Sequence, residues 1–151
     1  MALGVCLSML VGELVGLPRS MWIGIAVMSV LQPFDEDRKT KMIYRFLGTL
    51  AGCVGFMLLI RILPEESYGL LGIIGGIGVG FCATYKWQTV FNAFGALGIA
   101  MSLFGSGGSV TLRVINNGFA VLFVILFVPV VDWILDQFSI HSRRRMEVRE
   151  K

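Results

Sequence analysis

The sequence predicts an all-α fold, a polytopic membrane bundle of six transmembrane helices built as a three-plus-three inverted repeat. Three observations predict it. Hydrophobic residues make up 56 % of the 151 positions and charged residues only 15 %, with a mean hydropathy of +0.79, far from the balance of a soluble domain. Short breakers rich in proline, glycine or charge divide the apolar runs. The chain also repeats itself: an apolar segment led by Trp22 runs into a helix carrying Arg45, and one led by Trp87 runs into a helix carrying Arg113.

The first segment, Ala2 to Leu17, has no basic residues ahead of it and no clear cleavage pattern, so it reads as a span rather than a removed signal. It is short, as in a chain trimmed at this end. After Leu17-Pro18-Arg19-Ser20 comes Met21 to Leu31, whose 11 residues give about 17 Å of helix against a hydrocarbon core of roughly 30 Å. Either it extends through Gln32 and Phe34, or its connection dips into a vestibule and presents a positive helix N-terminus to solute. Asp35-Glu36-Asp37 suits the first turn of the third helix, where the dipole favours acids. Met42 to Leu63 follows, then the Pro64-Glu65-Glu66-Ser67 turn, then Tyr68 to Tyr85, Thr89 to Phe104, a Gly105 to Ser109 breaker, and Leu112 to Leu135. Spans of an open chain must be helical, because each backbone amide in lipid needs a partner within its own segment.

Basic residues set the orientation. Arg38, Lys39, Lys41, Lys86 and the tail residues Arg143, Arg144, Arg145, Arg149 and Lys151 fall on one face of a six-span chain, and only Arg19 and Arg61 on the other. Both termini are therefore expected in the cytoplasm, with the chain multi-pass in the inner (plasma) membrane. The domain reading is a transmembrane unit over 1–138, with repeats 1–64 and 65–138, and a basic tail over 139–151. Three spans per half make the second copy run opposite to the first. Inverted repeats of this kind place a solute site where the halves meet.

The composition excludes several functions. The pI near 9.0 comes from loops and tail, so no nucleic-acid partner is expected. Cys6, Cys53 and Cys82 lack metal-ligand spacing and read as small buried residues, and His141 reads as a tail residue. No catalytic set, cofactor motif or metal cluster can be assembled, so an enzyme is not expected.

Pro18-Arg19-Ser20-Met21-Trp22 through Val30-Leu31-Gln32-Pro33, followed by Tyr44-Arg45-Phe46-Leu47-Gly48-Thr49-Leu50-Ala51-Gly52, resembles the fusaric acid resistance family, which includes the aromatic acid exporters. Arg113-Val114-Ile115-Asn116-Asn117-Gly118 is similar to that family's second arginine block. The resemblance implies a bundle of about six spans exporting aromatic or other organic carboxylates, and the plant malate-channel family is similar in its membrane domain. Many relatives are longer, so a lone unit is expected to form a homodimer or higher homo-oligomer.

Arg45 and Arg113 are the leading site candidates. A guanidinium in hydrocarbon is costly and marks a solute path by default, although both residues lie near segment ends and could instead snorkel to headgroups. Glu13 either pairs with Arg19 at the rim or serves as a proton-coupling group whose burial raises its pKa. Asn92, Asn116 and Asn117 could bind a carboxylate or simply join helices. Trp22, Trp87 and Trp133 suit interfacial anchors, with Trp22 and Trp87 also able to stack an aromatic solute. Gly48, Gly52 and Gly55, like Gly72, Gly76 and Gly80, mark close helix packing. The functional expectation is an organic-anion exporter embedded in the bilayer. A passive anion channel and a non-transporting accessory subunit remain as alternatives.

Overall fold

A computed structural model describes residues 1–31 and 38–149; the expected acidic turn at 35–37, the Gln32-Pro33 corner and the side chains of the basic tail with His141 lie outside the described residues. The described residues form helices α1 (Ala2–Leu14), α2 (Ser20–Val30), α3 (Arg38–Leu59), α4 (Tyr68–Phe81) and α5 (Tyr85–Arg149), with one 3₁₀ turn at Glu65–Ser67 and no strand. The apolar segments drawn from hydropathy thus recur as helical stretches, most of them shifted by a few residues at their ends, while the last runs on past the expected Leu135 to Arg149.

Local chemistry sets the ends. Gly16 takes φ 78, and the amides of Gly16 and Leu17 donate to the carbonyls of Glu13 and Gly12, both at 2.9 Å, which stops α1 in a Schellman turn. Pro64 closes off the turn after α3, and the Tyr68 hydroxyl donates to the Ile60 carbonyl at 2.9 Å, satisfying an acceptor that the helix end leaves open. The Gln88 amide does the same for Cys82 O after α4, at 2.9 Å.

The fifth and sixth segments differ from expectation. They form one helix, α5, broken at Gly105 alone (φ 67, ψ 177), with a first arm over 85–104 and a second over 106–149. Ser106 to Ser109, expected as part of a loop, are helical. The Ser109 hydroxyl donates to the Gly105 carbonyl at 2.7 Å, so the break leaves that acceptor satisfied. One glycine in a backbone region closed to other residues is enough to redirect the chain.

Two seams hold the bundle. Along α3, a methyl group added at Gly48 would lie 1.8 Å from Thr89 Oγ1, and one at Gly52 would lie 2.6 Å from Ala93 Cβ and 2.7 Å from Val90 O, so α3 sits almost backbone to backbone on the first arm of α5. Along α4, the close positions are Gly72, Gly75 and Gly78, where a Cβ at Gly75 would meet Gly95 N at 2.3 Å and one at Gly98 would meet Gly72 N at 2.6 Å. Gly76 and Gly80 face open space, so the expected α4 stripe is correct at Gly72 and displaced at the other two. A third small-residue row, Gly4, Ser8 and Gly12, seats α1 on α2.

Two apolar clusters flank the middle of the bundle. Ile23, Ala26, Val27 and Val30 of α2 pack on Ala120 and Val124 of the second arm, while Cys53 and Phe56 of α3 pack with Leu71 and Leu97. Outside them the chain is apolar and unburied. The Arg38–Leu59 and Leu103–Gln137 stretches are long and apolar enough to cross a membrane, and only 11 % of the most apolar part of the latter is buried within the chain. A soluble core helix would be mostly buried, so these faces suit lipid or a partner helix. Of the cysteines, Cys53 is buried as expected, whereas Cys6 is exposed on α1 and Cys82 is half-buried.

Candidate functional site

Between the two apolar clusters lies a polar layer. Arg45 on α3 and Arg113 on the second arm of α5 are 2 % and 1 % exposed, so both guanidiniums lie inside the packed chain. Arg45 Nε donates to Asn117 Oδ1 at 3.2 Å. Arg113 Nη2 donates to Asn92 Oδ1, and its guanidinium carbon lies 4.9 Å from the centre of the Trp22 ring, within cation–π range. Among the described residues neither guanidinium has a carboxylate partner.

The asparagines tie this layer together. Asn117 Nδ2 donates to the Arg113 carbonyl at 2.9 Å, so one amide links the backbone beneath one arginine to the side chain of the other. Asn116 Nδ2 donates to Pro18 O at 3.0 Å and joins the second arm to the corner before α2. Thr89 reaches the Tyr44 carbonyl across the α3 seam at 3.1 Å. Arg45 Nη2, Arg113 Nε, Thr49 Oγ1 and Asn116 Oδ1 are buried without a hydrogen-bond partner. Buried donors and acceptors cost free energy when unmatched, about 1–3 kcal/mol each, so these atoms retain hydrogen-bonding capacity for a polar partner.

A cleft of about 420 Å³ opens beside Arg113. Trp22, Phe91, Asn92 and Arg113 line it together with Arg19, and bare glycine backbone from α4 forms the far wall. Its walls thus combine flat apolar surface, a donor-rich cation and an amide, a combination able to hold an anion attached to an apolar body.

The predicted residues are distributed unequally. Arg45, Arg113, Asn116, Asn117 and Asn92 share the polar layer, and Trp22 joins them. At 3 % exposure Trp22 is buried rather than placed as an interfacial anchor, because the Pro18-Arg19 corner turns the start of α2 inward over Arg113. Trp87 and Trp133, 56 % and 64 % exposed, stand on the outer surface. Glu13 is exposed at the end of α1 and accepts a hydrogen bond from Ser20 at 2.9 Å rather than pairing with Arg19.

Arg19 was read from the sequence only as a loop charge and a partner for Glu13. In the structure it lines the cleft, with its guanidinium carbon 5.3 Å from the ring centres of both Trp22 and Phe104. The spacing Arg19-x-x-Trp22 at a helix start was the available signal.

A family model described as fusaric acid resistance protein-like matches residues 7–127, a stretch that includes Trp22, both buried arginines and the asparagine pair. No curated protein and no solved structure matches the chain. With the family model covering most of its length, the chain belongs to the fusaric acid resistance protein-like family.

Proposed function

We propose that the protein is an integral membrane transporter that exports organic anions, aromatic carboxylates among them, along a path supplied with positive potential by Arg45 and Arg113. Membership of the fusaric acid resistance protein-like family supports a membrane exporter or transporter in general. The observation that carries the finer reading is a pair of buried guanidiniums, bonded to neutral amides rather than to acids, with one of them opening on an aromatic-lined cleft. An isolated arginine at the centre of a membrane helix costs about 2.5–3.5 kcal/mol on insertion scales, a cost that a passing carboxylate would offset.

In this reading six segments cross or enter the inner membrane as inverted repeats over 1–64 and 65–138, both termini are cytoplasmic, and two or more copies assemble. The short helices support a re-entrant arrangement: α1, α2 and α4 have 13, 11 and 14 residues, about 17–21 Å each against a core of roughly 30 Å.

The test is uptake of radiolabelled benzoate into vesicles carrying wild-type protein, Arg45→Ala and Arg113→Ala, with Arg113→Met added because an apolar isostere of a buried charge often keeps or raises stability. Flux should fall about tenfold or more in each variant, the scale of one lost charge-assisted contact, while Arg113→Met remains folded by size-exclusion chromatography. Equal flux in all four proteins would overturn the site.

A further inference from the structure

The cleft contains a guanidinium that the transport reading leaves without a role. Arg19 has φ 58 and ψ 50, the one non-glycine residue at positive φ among the described residues. Glycine or asparagine would take that corner with less strain, so a bulky charged side chain persists there only because its surroundings hold it. Asn116 holds it: fully buried on the second arm of α5, its Nδ2 donates to Pro18 O at 3.0 Å and lies 3.5 Å from Arg19 O.

The side chain is placed as firmly as the backbone. Phe104, Arg19, Trp22 and Arg113 alternate ring, cation, ring, cation, with ring-to-cation distances of 5.3, 5.3 and 4.9 Å. The series starts at Phe104, 40 % exposed, and ends at Arg113, 1 % exposed. A guanidinium held between two rings by cation–π attraction still has five N–H donors to offer, a fork that matches the two oxygens of a carboxylate. The nearest acid along the chain, Glu13, is bonded to Ser20 instead.

We propose that Arg19 is the first of two anion stations in series. It takes the solute's negative group at the mouth of the cleft and exchanges it with Arg113 across the Trp22 ring, and Asn116 is the positioning residue that keeps it at that mouth. The proposal rests on the organic-anion reading above and adds to it an order of contact and a residue beyond the Arg45 and Arg113 pair.

The test uses the full chain in two assays: benzoate flux into vesicles over a concentration series, and benzoate binding to detergent-purified protein followed by tryptophan fluorescence. Arg19→Gln should raise the half-saturating concentration about fivefold or more, the worth of a partly exposed charge-assisted contact, and change the maximal rate less than about twofold. The dependence of half-saturation on ionic strength should weaken with it. Arg19→Lys, which keeps the charge and loses the planar fork, should recover part of the affinity. Arg19→Gly relaxes the backbone while removing the guanidinium, so it should fold at least as well as wild type and still show the raised half-saturation. Asn116→Ala should reproduce the Arg19→Gln pattern. Unchanged half-saturation in Arg19→Gln and Arg19→Gly, with wild-type protein active, overturns the station and leaves the transport reading standing. Folded wild-type protein that neither binds nor moves benzoate overturns both.

Discussion

Arg45 follows Trp22 and Arg113 follows Trp87 at similar spacings in the sequence, yet the surroundings of the two arginines differ. Arg45 is enclosed: its helix lies against the first arm of α5 through Gly48 and Gly52, and the tryptophan that leads the other copy, Trp87, points outward at 56 % exposure. Arg113 has Trp22 over it at 4.9 Å and a cleft beside it. Similar sequence contexts thus carry two similar charges, while the packing around each decides which one faces an opening.

The tryptophans sharpen this comparison most. Trp22→Ala should destabilise the protein by about 3–5 kcal/mol, since it empties a buried aromatic site and uncovers a guanidinium. Trp87→Ala, on the outer surface, should stay within about 0.5 kcal/mol. Thermal unfolding in detergent, followed by fluorescence-detected size exclusion, checks both, and equal losses would erase the distinction between the two sites.

Next come the asparagines. Asn117→Ala leaves Arg45 Nε buried without its acceptor and should cost about 2–3 kcal/mol. Asn92 is half-buried at the edge of the cleft, so Asn92→Ala should cost about 1 kcal/mol and act mainly on anion affinity. Denaturation by graded detergent, paired with benzoate binding, separates the two effects. A larger stability loss for Asn92→Ala would mean that the site near the cleft is the more tightly built one.

Gly105→Ala should cost about 1–2 kcal/mol, from torsional strain alone, because no atom lies within 4 Å of the added methyl group. The same scan measures it, and a neutral result would place the break elsewhere in the second half. Gly75→Ala should cost about 1–3 kcal/mol, since its methyl group would meet backbone at Gly95 N at 2.3 Å, and the smallest effect is expected of Gly76→Ala, which faces open space and should leave the midpoint unchanged.

Much of this was legible in the sequence. Hydropathy located every helical segment because lipid-facing and core-facing residues are both apolar, and the repeat drew attention to Arg45 and Arg113 and to the asparagines after the second. What stayed hidden depends on the fold. The inward turn of Trp22 follows from the left-handed corner at Arg19, which an amide 97 positions away helps to hold. The tight positions on α4 shift from Gly76 and Gly80 to Gly75 and Gly78 because the partner's backbone decides which glycines touch. The loop expected over Gly105 to Ser109 shrank to a single residue, since serine and glycine accept helix once a neighbouring carbonyl needs their donors.

The α4 seam has a mechanical consequence. The main partner of α4 is α5, and Gly72, Gly75, Gly95 and Gly98 meet there as bare backbone. Ordinary helix pairs are keyed by interlocking side chains along their whole length; here Leu71 in the core and the Phe91 ring against Gly78 hold the register at two points, with plain backbone between them. Because α4 is also one wall of the cleft, the closeness of this backbone contact sets how wide the opening beside Arg113 stands.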